Sequence, residues 1–190
     1  MTLQLKPNIR VIGFDDGYFK PRTKTNTILI GSIACFNGLI EGFLTTKIKV
    51  DGFNSTQKII SLIKKSKFEK QVKYILLSGI TFAGFNTADI QEIFKKTKKP
   101  VIVVIERKPN YKKISQALDN LPNKQKRLKL IEKAGKVYSF KNVYFQCHGL
   151  SEKQAKQILK KTLINSKIPE VLRLSHLIAS SITLGQSTRP

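Results

Sequence analysis

Residues 27–50, TILIGSIACFNGLIEGFLTTKIKV, decide the fold. Thr27 to Phe36 is β-branched and apolar, and Leu39 to Val50 reads as a return strand. Asn37-Gly38 between them is the strongest short-range hairpin signal, because both central residues of a type I′ turn need positive φ. Upstream, Ile9 to Asp15 is a short buried strand running into Gly13-Phe14-Asp15-Asp16-Gly17. A polar loop with Lys20, Arg22 and Lys24 joins the two segments. The first 50 residues therefore predict a three-stranded antiparallel meander ending at Asp51-Gly52.

Beyond Asp51 the apolar period changes. Ser55 to Lys67 carries Ile59, Ile60, Leu62 and Ile63 on one helical face, with lysines opposite. Val72 to Leu77 and Pro100 to Ile105 are continuous apolar runs, typical of strands covered on both faces. Asn86 to Lys96 reads as the helix between them. Ile114 to Leu118 and Lys124 to Ala134 read as helical stretches, with Gly135 as a stop. Val137 to Tyr138 and Val143 to Gln146 read as short strands. Ser151-Glu152-Lys153-Gln154 has capping-box spacing and opens another helix. Pro169 to Leu184 is the last helix, and His176 sits on its buried side as a core or near-core histidine. Three antiparallel strands followed by crossover strands is the order of the ribonuclease H-like α/β fold, here with a helical C-terminal extension. No repeat or second domain is visible, so residues 1–190 read as a single domain. In this fold the first and fourth strands are neighbours, and ligands bind outside the carboxyl ends of such strands.

Composition points to the partner. Lys+Arg number 35 against 12 Asp+Glu, a formal net charge of +23. Such an excess favours polyanions, because cations near phosphates release condensed counterions. A lysine-rich solvated surface is the bland alternative, and an anionic membrane surface the competing partner. No apolar run reaches the ~20 residues that span a bilayer, and MTLQLKPNIR lacks signal-peptide character. Cys35 and Cys147 show no metal-ligand spacing and read as reduced thiols. The expectation is a cytoplasmic protein that binds nucleic acid and uses neither a membrane nor a small-molecule cofactor.

With only twelve carboxylates, their positions carry information. Asp15 and Asp16 end strand one, Asp51 ends strand three, and Asp89 opens the helix after strand four. Mg²⁺ or Mn²⁺ wants hard oxygen ligands, commonly one or two carboxylates plus water and substrate phosphate. Asp15 with Asp51 is the expected core of a metal site, with Asp16 and Asp89 as auxiliary ligands. Each alone could instead be a turn or a helix cap. Gly79-Ile80-Thr81-Phe82-Ala83-Gly84-Phe85-Asn86 offers glycines and amides before a helix N-terminus. Gly79, Thr81 and Asn86 are therefore candidate phosphate contacts, and a structural loop is the competing reading. Arg107 and Lys108 after strand five join Lys20, Arg22 and Lys24 as candidate backbone contacts. His148, just before a helix, could place water or protonate a leaving oxygen.

The segments GFDDG, VDGFNST, GITFAGFNTADI, ERKP, YFQCHG and IPEVLRLSHLIA, in this order, resemble the endonuclease dU family, which is related to endonuclease V. The resemblance covers nearly the whole chain. It implies a ribonuclease H-like fold and Mg²⁺-dependent cleavage of DNA at deaminated bases such as uracil or hypoxanthine. Gly13-Phe14-Asp15 is similar to the Gly-Val-Asp strand end of endonuclease V, and Asp51 takes the place of its third-strand glutamate. Cys147-His148-Gly149-Leu150-Ser151 resembles its Gly-His-Arg-Ile-Ser segment. Where endonuclease V has an Asp-Gly after the fourth strand, this chain has Ser78-Gly79. The proline-rich wedge of endonuclease V has no counterpart near Asp51. A nucleic-acid-binding protein that keeps the fold and lacks the full metal site is therefore the alternative reading.

Overall fold

The structure is a computed structural model that describes residues 3–21, 23–164 and 166–189. Arg22, expected as a phosphate contact, lies outside the described residues. Fifteen elements follow in order among those described: β1 (Arg10–Asp16), β2 (Asn26–Cys35), β3 (Ile40–Lys49), α1 (Ser55–Lys65), β4 (Val72–Ser78), β5 (Thr81–Phe82), β6 (Asn86–Thr87), α2 (Ile90–Thr97), β7 (Val101–Ile105), α3 (Tyr111–Leu118), α4 (Lys124–Lys133), β8 (Tyr138–Phe140), β9 (Val143–His148), α5 (Glu152–Thr162) and α6 (Glu170–Leu184). Seven strands form one sheet in the order β3-β2-β1-β4-β7-β9-β8. β1 pairs antiparallel with β2 and parallel with β4, and β4 pairs parallel with β7. This is the mixed α/β sheet expected of a ribonuclease H-like chain, extended by the β8–β9 hairpin on β7.

The hairpin forms where Asn37-Gly38 predicts it, but by a different turn. Only Gly38 has positive φ (90°), and its amide donates to the Cys35 carbonyl at 2.9 Å. The β2–β3 register shifts between Ile33 and Ala34. A left-handed glycine after an ordinary turn, with a bulge, fits the strand twist as a type I′ pair would.

The helix after β4 begins later than its apolar pattern suggests. Asn86 and Thr87 pair with Phe82 and Thr81 in the small β5–β6 hairpin, and Asp89 is the N-cap. The capping box at Ser151 and Gln154 is present as read.

Two apolar layers cover the sheet. On one face Ile12, Phe14, Ile75, Leu77, Val101 and Val103 meet α1 and α2 through Ile59, Ile63, Ile90 and Ile93. On the other, Val11, Leu76, Ile102 and Val104 meet α5 and α6 through Ile158, Leu159, Val171 and Leu172. Each such fully buried side chain contributes on the order of 1.5–3 kcal/mol. Among the described residues no helix is long and apolar enough to cross a membrane.

Close approach of α6 to β1 positions the site. A Cβ on Gly13 would stand 2.7–2.9 Å from Val171 atoms, so only glycine lets the helix dock there. Ser175 completes the seam: its hydroxyl donates to the Gly13 carbonyl at 2.7 Å, lies 2.8 Å from the Ser32 hydroxyl, and accepts from the Ser32 amide at 3.1 Å.

Candidate active site

Docking α6 on Gly13 brings His176 to the end of β1. Its Nδ1 lies 3.0 Å from Asp15 Oδ2, and its Nε2 lies 3.0 Å from Thr188 Oγ1. Asp15 Oδ1 accepts from the Asp16 amide at 3.0 Å. Strand alternation sends Asp16 to the other face, where Oδ2 accepts from the Ala83 amide at 2.9 Å. Asp51, at the end of β3, accepts through Oδ1 from the Phe85 amide at 2.9 Å, while its own amide donates to the Ala83 carbonyl.

The loop read as a phosphate cradle is thus already used by the protein's own anions. The amides of Ala83 and Phe85 hold Asp16 and Asp51. Gly84, at φ 85°, leaves room for the Asp51 carboxylate: a Cβ there would stand 2.3 Å from Oδ1.

Electrostatics mark the same cluster. Burial pushes Asp15 above the usual carboxylate range, opposed by His176 and by Ser78 at the end of β4. Burial, and then repulsion from Asp15, pushes Asp16 up to about 7. Hydrogen bonding to Asp15 raises His176 above its ordinary value. Desolvation always disfavours the charged form, and a second carboxylate adds to it. Two oxygen-donor carboxylates held this way would gain from a divalent cation, and one or two carboxylates plus water suffice for Mg²⁺. Asp15 and Asp16 therefore fit such an ion in donor type and charge. Among the described residues no three His, Cys, Asp or Glu side chains converge on one ion position.

Arg127, not singled out by sequence reasoning, holds the loops of this site together. It is 1% exposed and has only backbone carbonyls as acceptors: Asp51 at 2.6 Å, Gly52 at 3.1 Å, Pro122 at 3.3 Å, and Phe85. Its guanidinium stacks 4.1 Å from the Phe53 ring centroid. One side chain of α4 thereby ties the ends of β3, the β5–β6 hairpin and the α3–α4 loop together.

Three further candidates are placed away from the carboxylates or have their polar atoms engaged elsewhere. His148 pairs with Val101, the first residue of β7, at the opposite end of the parallel strands from Asp15. It packs edge-on against Phe94, ring centroids 5.1 Å apart. Asp89 is not brought to the carboxylates: it caps α2 through the amides of Gln91 and Glu92 and pairs with Lys133 at 2.5 Å. Asn86 is fully buried, its carboxamide bonded to the Lys49 carbonyl, Asn54 and the Ser55 amide, so it has nothing left for phosphate.

Other candidates sit at the expected rim. Lys20 and Lys24 are exposed on the β1–β2 loop, and Lys24 lines a groove of about 460 Å³ with Asp51 and Lys49. Arg107 and Lys108 are exposed just past the carboxyl end of β7. Gly79 turns at φ 80°, its amide bonded to the Val104 carbonyl at 2.8 Å. Gly79 and Thr81 line a cavity of about 190 Å³ with Phe85, Tyr111 and Gln146.

Sequence reasoning left His176 as a packing histidine. The available signal was the run of small residues beside it: Ser175, Ala179 and Ser180 on one helix, with Gly13 two residues before Asp15. Such a seam brings a helix close enough for its neighbouring histidine to reach the strand end.

The chain is 45% identical over 175 residues to a UPF0215 protein of Methanocaldococcus jannaschii, covering 92% of this chain and 94% of that one. A crystal structure of a protein of unknown function from Archaeoglobus fulgidus superposes with a TM-score of 0.85 at 41% identity, over 91% of this chain and 97% of that one. Ciona intestinalis endonuclease V, solved with DNA containing an inosine followed by a ribo-adenosine, superposes with a TM-score of 0.60 at 16% identity, over 93% and 85% of the chains. The last likeness is one of fold, and that fold is ribonuclease H-like. Residues 7–183 match the endonuclease dU family, to which this chain belongs.

Proposed function

We propose that the chain is a divalent-cation-dependent endonuclease hydrolysing a phosphodiester of DNA that carries a deaminated base. The observation that carries this reading is the buried Asp15 carboxylate, hydrogen-bonded to His176 and followed by Asp16 at the carboxyl end of β1, in a chain of net charge +23. Asp15 would be the ligand on the His176 side, with Asp16 and Asp51, which face the 83–85 loop, as the further carboxylates at the same strand ends. A bound ion supplies charge neutralisation at the scissile phosphate and a more acidic water. His176, oriented by Asp15 and Thr188, is the group placed to take up or return a proton. Lys20, Lys24, Arg107 and Lys108 contact the backbone, and the cavity beside Gly79 and Thr81 takes the altered base, with Gln146 as a polar wall.

The test is incision of oligonucleotides containing uracil, hypoxanthine or xanthine, with Mg²⁺ or Mn²⁺ and with EDTA. Cleavage is expected with metal, and Asp15→Asn is expected to abolish it while sparing binding, since removing negative charge does not weaken contacts to phosphate. Cleavage that survives both EDTA and Asp15→Asn would sink the assignment. The alternative, a nucleic-acid-binding protein without cleavage, draws on Ser78 in place of a carboxylate and on the lack of three convergent ligands among the described residues. It expects tight, salt-sensitive binding and no incision at any metal concentration.

A further inference from the structure

Tyr18 is the most exposed aromatic side chain among the described residues, 60% accessible, and it lies two positions beyond Asp16. Isolated exposed aromatics are common and usually mean little. This one differs in how its backbone is held. The Tyr18 amide donates to Thr183 Oγ1 at 2.9 Å, and the Tyr18 carbonyl accepts from Thr27 Oγ1 at 2.8 Å. Both hydroxyls come from ordered elements, α6 and β2. The preceding Gly17 is clamped as well: its amide donates to the Ile28 carbonyl at 2.9 Å. A Cβ at Gly17 would stand 2.6 Å from Thr183, 2.8 Å from Ile28 and 3.0 Å from the Ala179 carbonyl. The main chain is therefore fixed on both sides of the residue while its ring stands in solvent. Holding a large apolar ring in water on a rigid support has no packing benefit. It lowers the entropy cost of binding a flat partner.

The location says what the partner is. Two residues of chain span at most about 7 Å between Cα atoms, so the ring is anchored within about one nucleotide's length of Asp16. Lys20 and Lys24 follow on the same loop. An aromatic face beside lysines is the pairing that binds unpaired nucleotides: bases stack while cations track phosphates.

We propose that Tyr18 is a stacking platform for an unpaired nucleobase next to the scissile phosphate. The site thus selects strands that are single or locally opened over fully paired duplex. This inference rests on the nuclease reading above.

The chain contains no tryptophan, so Tyr18→Trp adds a unique fluorophore at the site. Titration with a single-stranded 12-mer of thymidine, in Ca²⁺ to prevent cleavage, is expected to quench it strongly. A fully paired 12-mer should quench it little. Tyr18→Ala should weaken single-strand binding by about tenfold, the scale of one lost base stack. Tyr18→Phe should retain wild-type affinity, because the ring and not the hydroxyl makes the contact. Leu39→Ala, which trims an equally exposed apolar residue on the β2–β3 turn, should change nothing. Wild-type binding with no quenching of Tyr18→Trp, or equal losses in Tyr18→Phe and Tyr18→Ala, would overturn the stacking role and leave the nuclease reading standing. Failure of the wild-type chain to bind any oligonucleotide at low salt would overturn both.

Discussion

The two ends of the central sheet are built on different physics. At the carboxyl ends of β1, β3 and β4, charged side chains, the half-buried Asp16 and Asp51 and the buried Arg127, are held by backbone groups. Asp16 and Asp51 accept from the amides of Ala83 and Phe85, and Arg127 donates to four carbonyls. At the other end, Phe94 meets the ring of His148 edge-on and lies against Gly149, while Lys95, Lys96 and Lys98 line an open groove. The second arrangement is ordinary amphipathic packing with a solvated basic rim. The first is expensive, since each desolvated charge must recover its lost hydration through fixed partners. That concentration of held charge at one end of the sheet is the feature on which the proposed site rests.

The largest effect expected from breaking this contrast is at Arg127. Truncation to Ala takes the donor from the carbonyls of Asp51, Gly52, Phe85 and Pro122 and leaves a void beside Phe53. The cost is on the order of 3 kcal/mol, or a melting temperature lower by about 6–12 °C. Arg127→Lys should recover little, because an ammonium cannot reach the separate carbonyls that the planar fork spans. Thermal denaturation measures both. A loss of under about 1 kcal/mol in Arg127→Ala would mean that the loops hold themselves.

Much of this sheet was legible in the sequence because apolar periodicity and turn chemistry are local. Residues 27–50 specify their hairpin, and Ser151 and Gln154 specify a cap, through contacts a few positions apart. The site was legible only where a local signal marks it. Asp15, Asp16 and Asp51 stand out as strand-ending acids in an acid-poor chain. Arg127 meets Asp51 and Phe85 across 76 and 42 positions, and His176 meets Asp15 across 161. No periodicity encodes such pairings. They depend on how α4 and α6 dock, and docking depends on small residues whose meaning is visible only in three dimensions. His148 shows the converse: its place before a helix suggests the crevice, but β9 runs antiparallel to β7 and carries it level with Val101, at the start of β7.

A smaller effect, of opposite sign, is expected at Asp16. Its folded-state pKa is raised to about 7, chiefly by burial, against 3.8 for the free group. Between about pH 4 and 7 the folded chain holds a proton that the unfolded chain has lost, so this group's contribution to stability falls as pH rises through that window. His176, also raised, contributes stability that is present below about 6.5 and lost above its raised value, with the same sign. In metal-free buffer with EDTA, stability should therefore decline from pH 5 to 8. Asp16→Asn keeps an oxygen for the Ala83 amide and removes the buried charge. It should flatten the decline and stabilise the metal-free protein at pH 8 by on the order of 2 kcal/mol. Added Mn²⁺ should stabilise the parent chain and not the variant. A variant less stable than its parent at pH 8 would show that Asp16 is charged at little cost.

The smallest effect is expected at His148, and it decides whether the contrast between the ends holds for function. His148→Ala removes one edge-on aromatic contact with Phe94 at a half-buried position. Such a contact contributes roughly 0.5–1 kcal/mol, so the melting temperature should fall by only about 1–4 °C. No hydrogen bond ties its imidazole to the Asp15 cluster, and its partner on β7, Val101, is four residues and one full strand length from Ile105 at the carboxyl end. Through the register Asp15 is level with Val104, three residues beyond Val101, so at about 3.3 Å per residue the offset along the strand is about 10 Å, and the three strand spacings of about 4.8 Å between β1 and β9 add to it, far beyond the reach of a proton transfer. Incision by His148→Ala should stay within a factor of about two of the parent, whereas His176→Ala should lower it by about 100-fold or more, the usual scale for a general acid or base. The two histidines are the only ones in the chain, so the pair of variants divides the possibilities cleanly. A large loss in His148→Ala with unchanged stability would move the working end of the molecule to the α2–β9 groove. The acid cluster at β1 would then be a structural knot.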